Sequence, residues 1–241
     1  GKQATTAQTS VIIGANCADN AVLTSDGNVF IGYTCARAVT SGGGVFIGQG
    51  AGDAVSTALR NTLIGTDAGG ALTTTTGSDD NTFVGHNAGL AANGGAQNTI
   101  IGSLAGDGLT TGDANVIIGY GAGSAVITSG NNTFIGASAG AVVTSGGGVF
   151  VGQNAGGSVT TALRNVLIGT TAGFALTTTT GSDNNVMIGS GAGDSANGTA
   201  SNVFIGDRCA ESLTTGTGVF VGARSGDSVT TALGNTLIGL D

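Results

Sequence analysis

The chain has no proline and no tryptophan, one histidine and one methionine, and only 8% charged and 4% aromatic residues. So low a charge density beside 40% apolar residues excludes a disordered polyelectrolyte, which needs the opposite balance. Six basic residues against fourteen acidic ones leave a net charge of −8, which argues against a nucleic-acid or anionic-membrane partner, since both need a basic patch. No apolar run in the sequence approaches the roughly 20 residues of a membrane span. The first ten residues, GKQATTAQTS, lack the apolar stretch of a signal peptide, which leaves a mature chain, a trimmed one, or export by a route that needs none. What the chain has in abundance is glycine, 48 of 241 residues, and glycine so dense directs the search to repeats.

A tetrapeptide of three apolar or β-branched residues and a glycine recurs fourteen times, its glycine at 14, 32, 48, 65, 85, 102, 119, 136, 152, 169, 189, 206, 222 and 239. Counting from that glycine, Ile or Val stands one residue before it every time, and a large apolar residue two before: the stripe includes Phe30, Phe46, Leu63, Phe83, Phe134, Phe150, Leu167, Phe204 and Phe220. Three before is Val or Thr, and four before is Asn, replaced by Gly or Ser. Three after the glycine comes Ala, Cys or Ser, and seven after comes Val, Leu or Ala. The columns predict two short strands per repeat, one running into the glycine and one centred on plus seven. The exchange of Asn with Gly at minus four predicts a backbone position with φ > 0.

Such a repeat cannot bury a core alone, so its copies must stack. The fold expected is all-β: a parallel β-solenoid, or β-roll, of about fourteen coils of 16–20 residues, with 1–10 as a lead-in and 11–241 as one repeat domain. A longer repeat lies above the short one, residues 41–85 returning at 145–189 with an offset of 104. In each copy one coil is lengthened by Thr-Thr-Thr-Thr-Gly-Ser-Asp, at 73–79 and 177–183, read as outward bulges. The terminal coils show no polar cap, which makes end-to-end stacking of copies a further expectation.

Strand side chains alternate, so minus one and minus three share one face and minus two the other. Both faces are apolar, and the sequence leaves open which one points into the coil. Either way one face requires another chain, and a continuous stripe suits a homotrimer or homodimer.

Strings such as NTLIGTDAGGALTTTTGSDDNTFVG resemble the Asn-Thr-x-Ile-Gly-x-x-Ala-Gly repeats of bacteriophage and viral tail-fibre proteins. They are also similar to the heads of trimeric autotransporter adhesins, from which the chain departs in repeat length and in carrying Phe or Leu where adhesin heads carry Ala. The resemblance spans residues 11–241 and implies a homo-oligomeric, trimeric fibre, extracellular or on a virion surface, with a cell-surface glycan or receptor as partner.

Catalytic chemistry is poorly represented. His86 stands one residue after its glycine, where no nucleophile or carboxylate pair recurs beside it, so it reads as a surface position. Cys17, Cys35 and Cys209 fall in the small plus-three column and read as core fillers. Asp194, Glu211 and Asp227 stack at plus five, and Asp79, Asp80 and Asp183 sit in the bulges; both sets read as solvated acids, with a bound Ca²⁺ as the sharper alternative. Tyr33, His86 and Tyr120 are the aromatic members of the plus-one column and are candidates for stacking on sugar rings. Thr and Ser crowd the plus-eight and plus-nine columns, as in ice-binding solenoids, although adjacent columns should face opposite ways. The reading is a structural and adhesive fibre segment without enzymatic activity. A bacterial surface adhesin, a self-assembling filament and, last, an ice-binding protein are its alternatives.

Overall fold

The computed structural model describes residues 9–240 other than 22, 25, 42, 58, 73–77, 127, 162, 177–182 and 197. The β-branched triplet before each glycine forms a short strand, and among the described residues no helix occurs. The chain falls into two compact units, Gly1–Gly121 and Ala122–Asp241. The first holds β1 (Val11–Ile13), β2 (Val29–Ile31), β3 (Gly44–Ile47), β4 (Asn61–Ile64), β5 (Thr82–Val84), β6 (Thr99–Ile101) and β7 (Val116–Ile118). The second holds β8 (Thr133–Ile135), β9 (Gly148–Val151), β10 (Asn165–Ile168), β11 (Val186–Ile188), β12 (Val203–Ile205), β13 (Thr215–Val221) and β14 (Thr231–Ile238). Within each unit every strand pairs in parallel with its sequence neighbours, and the columns stay in register: Phe30 opposes Phe46, and Phe134 opposes Phe150. Each unit is thus a parallel β-solenoid, and a register shift between Thr217 and Gly218 in β13 is the one irregular pairing among the described strands.

The minus-two face is the one inside the coil. From Phe30 to Phe220 the minus-two side chains point inward and are buried, as are the plus-three Ala and Cys and nearly all of the plus-seven Val, Leu and Ala. In most coils a large residue is matched by a smaller one, Phe83 with Ala92 and Phe134 with Val143, so successive layers fill the same volume. Phe30 stacks on Phe46 with ring centroids 5.0 Å apart, and Phe134 on Phe150 at 4.8 Å. The stripe from Phe30 to Phe220 is therefore core, and minus one with minus three forms the outward face.

Two local expectations are corrected. The second strand around plus seven does not form, because the residues at plus two and plus four take φ > 0, as Asp67 (φ 53) and Gly69 (φ 59) do. The chain there winds through overlapping turns: Ala68, Gly70 and Leu72 N–H donate back to the carbonyls of Gly65, Asp67 and Gly69. The intervening amides reach other coils, Asp67 to Gln49 in the coil before and Gly69 and Ala71 to Ala88 and Leu90 in the coil after. Six consecutive backbone donors are thereby satisfied without a strand.

The second correction concerns minus four. None of its asparagines has a positive φ; that backbone state belongs to the residue before, as at Arg60, Gln97 and Asn131. Asparagine is there for its side chain, which lies inside the coil and runs a hydrogen-bond ladder. Asn98 N–H donates to Asn81 Oδ1 at 2.9 Å, and Asn115 N–H to Asn98 Oδ1 at 2.9 Å, while the Asn98 amide donates to the Gly112 carbonyl at 2.9 Å. Glycine replaces it at 44, 148 and 218, in the coils whose phenylalanine pairs with that of the coil before, and there an added Cβ would meet both the ring and the next coil's backbone: on Gly148 it would lie 2.5 Å from the Asn165 carbonyl oxygen and 2.9 Å from Phe150 Cε1.

Candidate functional site

The outward face of each unit is built from the minus-one Ile or Val and the minus-three Val or Thr, and no charged residue occurs in either column. Its side chains are half-buried by their ladder neighbours, with Ile101, Ile168 and Ile205 each 37% exposed. Parallel sheets are normally covered on both faces, so a surface that is regular, uncharged and built of Val, Ile and Thr is chemically suited to packing rather than to hydration.

The acids divide into two groups. Asp79 and Asp80 are engaged with the protein: Asp79 Oδ1 accepts the Leu59 N–H at 2.7 Å, and Arg60 grips Asp80 through Nε at 2.5 Å and Nη2 at 2.8 Å. The guanidinium holds the Asp80 carboxyl below the usual carboxylate range. Asp194 moves the other way, because burial and then the neighbouring Glu211 charge raise its pKa. One of its carboxylate oxygens is buried without a hydrogen-bond partner. Asp227 shares the column but bonds locally, its side chain accepting from Ser228 Oγ at 3.1 Å. Among the described residues no three His, Cys, Asp or Glu side chains converge as metal ligands. Of the two lengthened coils, 73–77 and 177–182 lie outside the described residues; Asp183, just beyond, accepts the Leu163 N–H at 2.7 Å.

Cys17, Cys35 and Cys209 are buried free thiols, as the small-residue column requires. Burial, with a smaller push from Cys17, raises the Cys35 thiol to about 12, and burial raises Cys209 to about 11. Both are far from the thiolate that nucleophilic chemistry needs. Tyr33 and Tyr120 are more than half exposed and His86 is exposed, all in the first unit. They stand on the second, seventh and fifth coils, and with coils roughly 4.8 Å apart they form separate points rather than one platform. The plus-eight threonine hydroxyls are turned to the ladder: Thr40, Thr144 and Thr214 Oγ1 donate to the carbonyls of Ser56, Thr160 and Thr230 in the next coil.

One feature carries no motif. In the second unit the minus-five corners stack Asn131, Gly147 and Arg164 on consecutive coils, and the missing side chain at Gly147 leaves an open notch of about 480 Å³. Gly146, Gly147 and Gly148 line it on the middle coil, Asn131 on the coil before, and Leu163 and Arg164 on the coil after.

No family model, curated protein or solved structure matches this chain.

Proposed function

We propose that the chain is a structural segment of a homo-oligomeric fibre, in which the outward Val/Thr and Ile/Val face of one copy packs against the same face of another. The observation that carries this reading is the uncharged outward face, repeated on every coil. Leaving it in water forfeits a share of the roughly 25 cal/mol per Å² that apolar burial returns, again at each coil. A stripe of this kind identifies an interface more readily than a hydrated wall. Three copies about a common axis, on a virion or an extracellular surface, is the arrangement that the fibre and adhesin resemblance favours.

The role proposed is mechanical rather than catalytic. The cysteines are deeply buried, Asp80 is paired with Arg60, and the only histidine stands on an open surface, so the chemistry-bearing groups are either engaged or scattered. A bacterial adhesin or a self-assembling filament would use the same face, and the identity of the flanking segments, a membrane-anchoring barrel or a virion-attachment segment, distinguishes them. Sedimentation equilibrium tests the shared claim: a mass at a small multiple of the 22.8 kDa chain supports it, and a soluble single chain over the accessible concentration range refutes it.

A further inference from the structure

The two copies of the 104-residue repeat share an arginine at the minus-five corner, Arg60 in the first unit and Arg164 in the second. Their partners differ. Arg60 makes two hydrogen bonds to the carboxylate of Asp80, whereas at the corresponding place Arg164 Nε donates at 2.7 Å to the neutral amide oxygen of Asn184. Among the described residues no carboxylate comes within 4 Å of the Arg164 guanidinium, and nearby Asp183 gives an oxygen to the Leu163 N–H instead. An arginine whose charge is balanced in one copy is thus left unbalanced in the other, and it stands on the wall of the notch.

The rest of the notch limits what that charge can receive. Its floor is bare glycine backbone, which lets a flat ring approach closely. Leu163, 41% exposed and outside the minus-one and minus-three columns, supplies an apolar ledge beside the guanidinium, and Asn131 lines the same notch with an amide able both to donate and to accept. The volume, about 480 Å³, falls within the roughly 300–1,000 Å³ of small-molecule sites. One guanidinium fits one carboxylate in a bidentate pair. A densely charged polyanion would be repelled by a chain with net charge −8.

We propose that the notch at Arg164 binds a single carboxylated pyranose, a uronate, with its carboxylate on the guanidinium, its C–H face on Leu163, and a ring hydroxyl on Asn131. The site belongs to one unit of one chain and does not depend on assembly. A charge-assisted hydrogen-bonded pair contributes roughly 1.5–3 kcal/mol, so its loss weakens binding by about 10- to 100-fold.

The test is ligand-observed NMR of the whole chain with glucuronate, glucose and acetate in the millimolar range. Glucuronate should bind, with glucose and acetate each at least about tenfold weaker, since one lacks the charge and the other the ring. Arg164→Ala and Asn184→Asp, the latter reproducing the first copy's neutralising carboxylate, should each abolish the signal without changing the melting temperature, and Arg60→Ala should leave it intact. Absence of glucuronate binding, binding that survives either change at 164 or 184, or acetate binding as well as glucuronate overturns the proposal. The fibre reading stands or falls separately, on the mass of the chain.

Discussion

Two glycines two residues apart in one turn should respond very differently to the same added methyl group. Gly189 ends β11 with φ +141, and a Cβ there would lie 2.5 Å from the carbonyl carbon of Gly206 in the next coil. Gly191, at plus two, has φ +65, and its Cβ would meet only Arg208, with Cγ at 3.4 Å, an ordinary contact. Alanine at 191 therefore bears only the left-handed backbone cost, about 1–2 kcal/mol, as Asn16, Thr34 and Leu104 already do at the same column. Alanine at 189 adds a steric term to a backbone region that L-residues rarely enter. Parting the coils also stretches the 2.8 Å bond from Gly206 N–H to the Ile188 carbonyl. The strain and overpacking together amount to about 4 kcal/mol, a large fraction of the roughly 5–15 kcal/mol that hold a domain folded. Urea unfolding followed by circular dichroism should show Gly189→Ala shifted much further than Gly191→Ala. Equal midpoints would refute the claim that close coil-to-coil approach fixes the glycine column.

The thiols and one acid give two further expectations. Because burial holds Cys35 near 12 and Cys209 near 11, iodoacetamide at pH 8 should leave the folded chain almost unlabelled and modify three cysteines in denaturant; rapid labelling of the native chain would contradict the core assignment. The Asp194 carboxyl is raised in the fold, so the native state holds its proton more tightly than the unfolded chain, and its contribution to stability falls as pH rises from the ordinary carboxylate range through the raised value. Asp194→Asn should accordingly raise the melting temperature at pH 7 and leave it unchanged at pH 3. If a Ca²⁺ ion occupied this column, the substitution would instead lower the melt, and chelator would lower that of the parent chain.

The strands were legible because they carry their own chemistry: a β-branched residue, a large apolar residue, a second β-branched residue and a glycine admit little else. The direction of the faces was legible too, in hindsight, since Asn at minus four shares a face with minus two and its ladder needs a dry interior. The turns were obscured because their positive-φ positions are held by whatever fits, Asp67 in one coil and Leu104 in another, rather than by glycine alone. Small residues alternating with apolar ones then look like a strand. The Arg164 notch had no signal of its own, since it arises from a side chain missing between two stacked corners and from one Asp-to-Asn difference between repeats 104 residues apart.

The large stripe fills the solenoid's own coils, and the outward face is the surface proposed to meet another copy. Sedimentation equilibrium on the parent chain and on the doubly substituted Ile101→Lys/Ile118→Lys chain tests this directly, because both isoleucines point outward, Ile101 exposed and Ile118 partly so, and a lysine there can keep its ammonium in water in a single chain and is buried only in an assembly. The prediction is an oligomer for the parent and a folded 22.8 kDa species, with unchanged far-ultraviolet circular dichroism, for the variant. An oligomer of the same mass in both would place the interface elsewhere, and a parent that already sediments as a single chain would contradict the fibre reading.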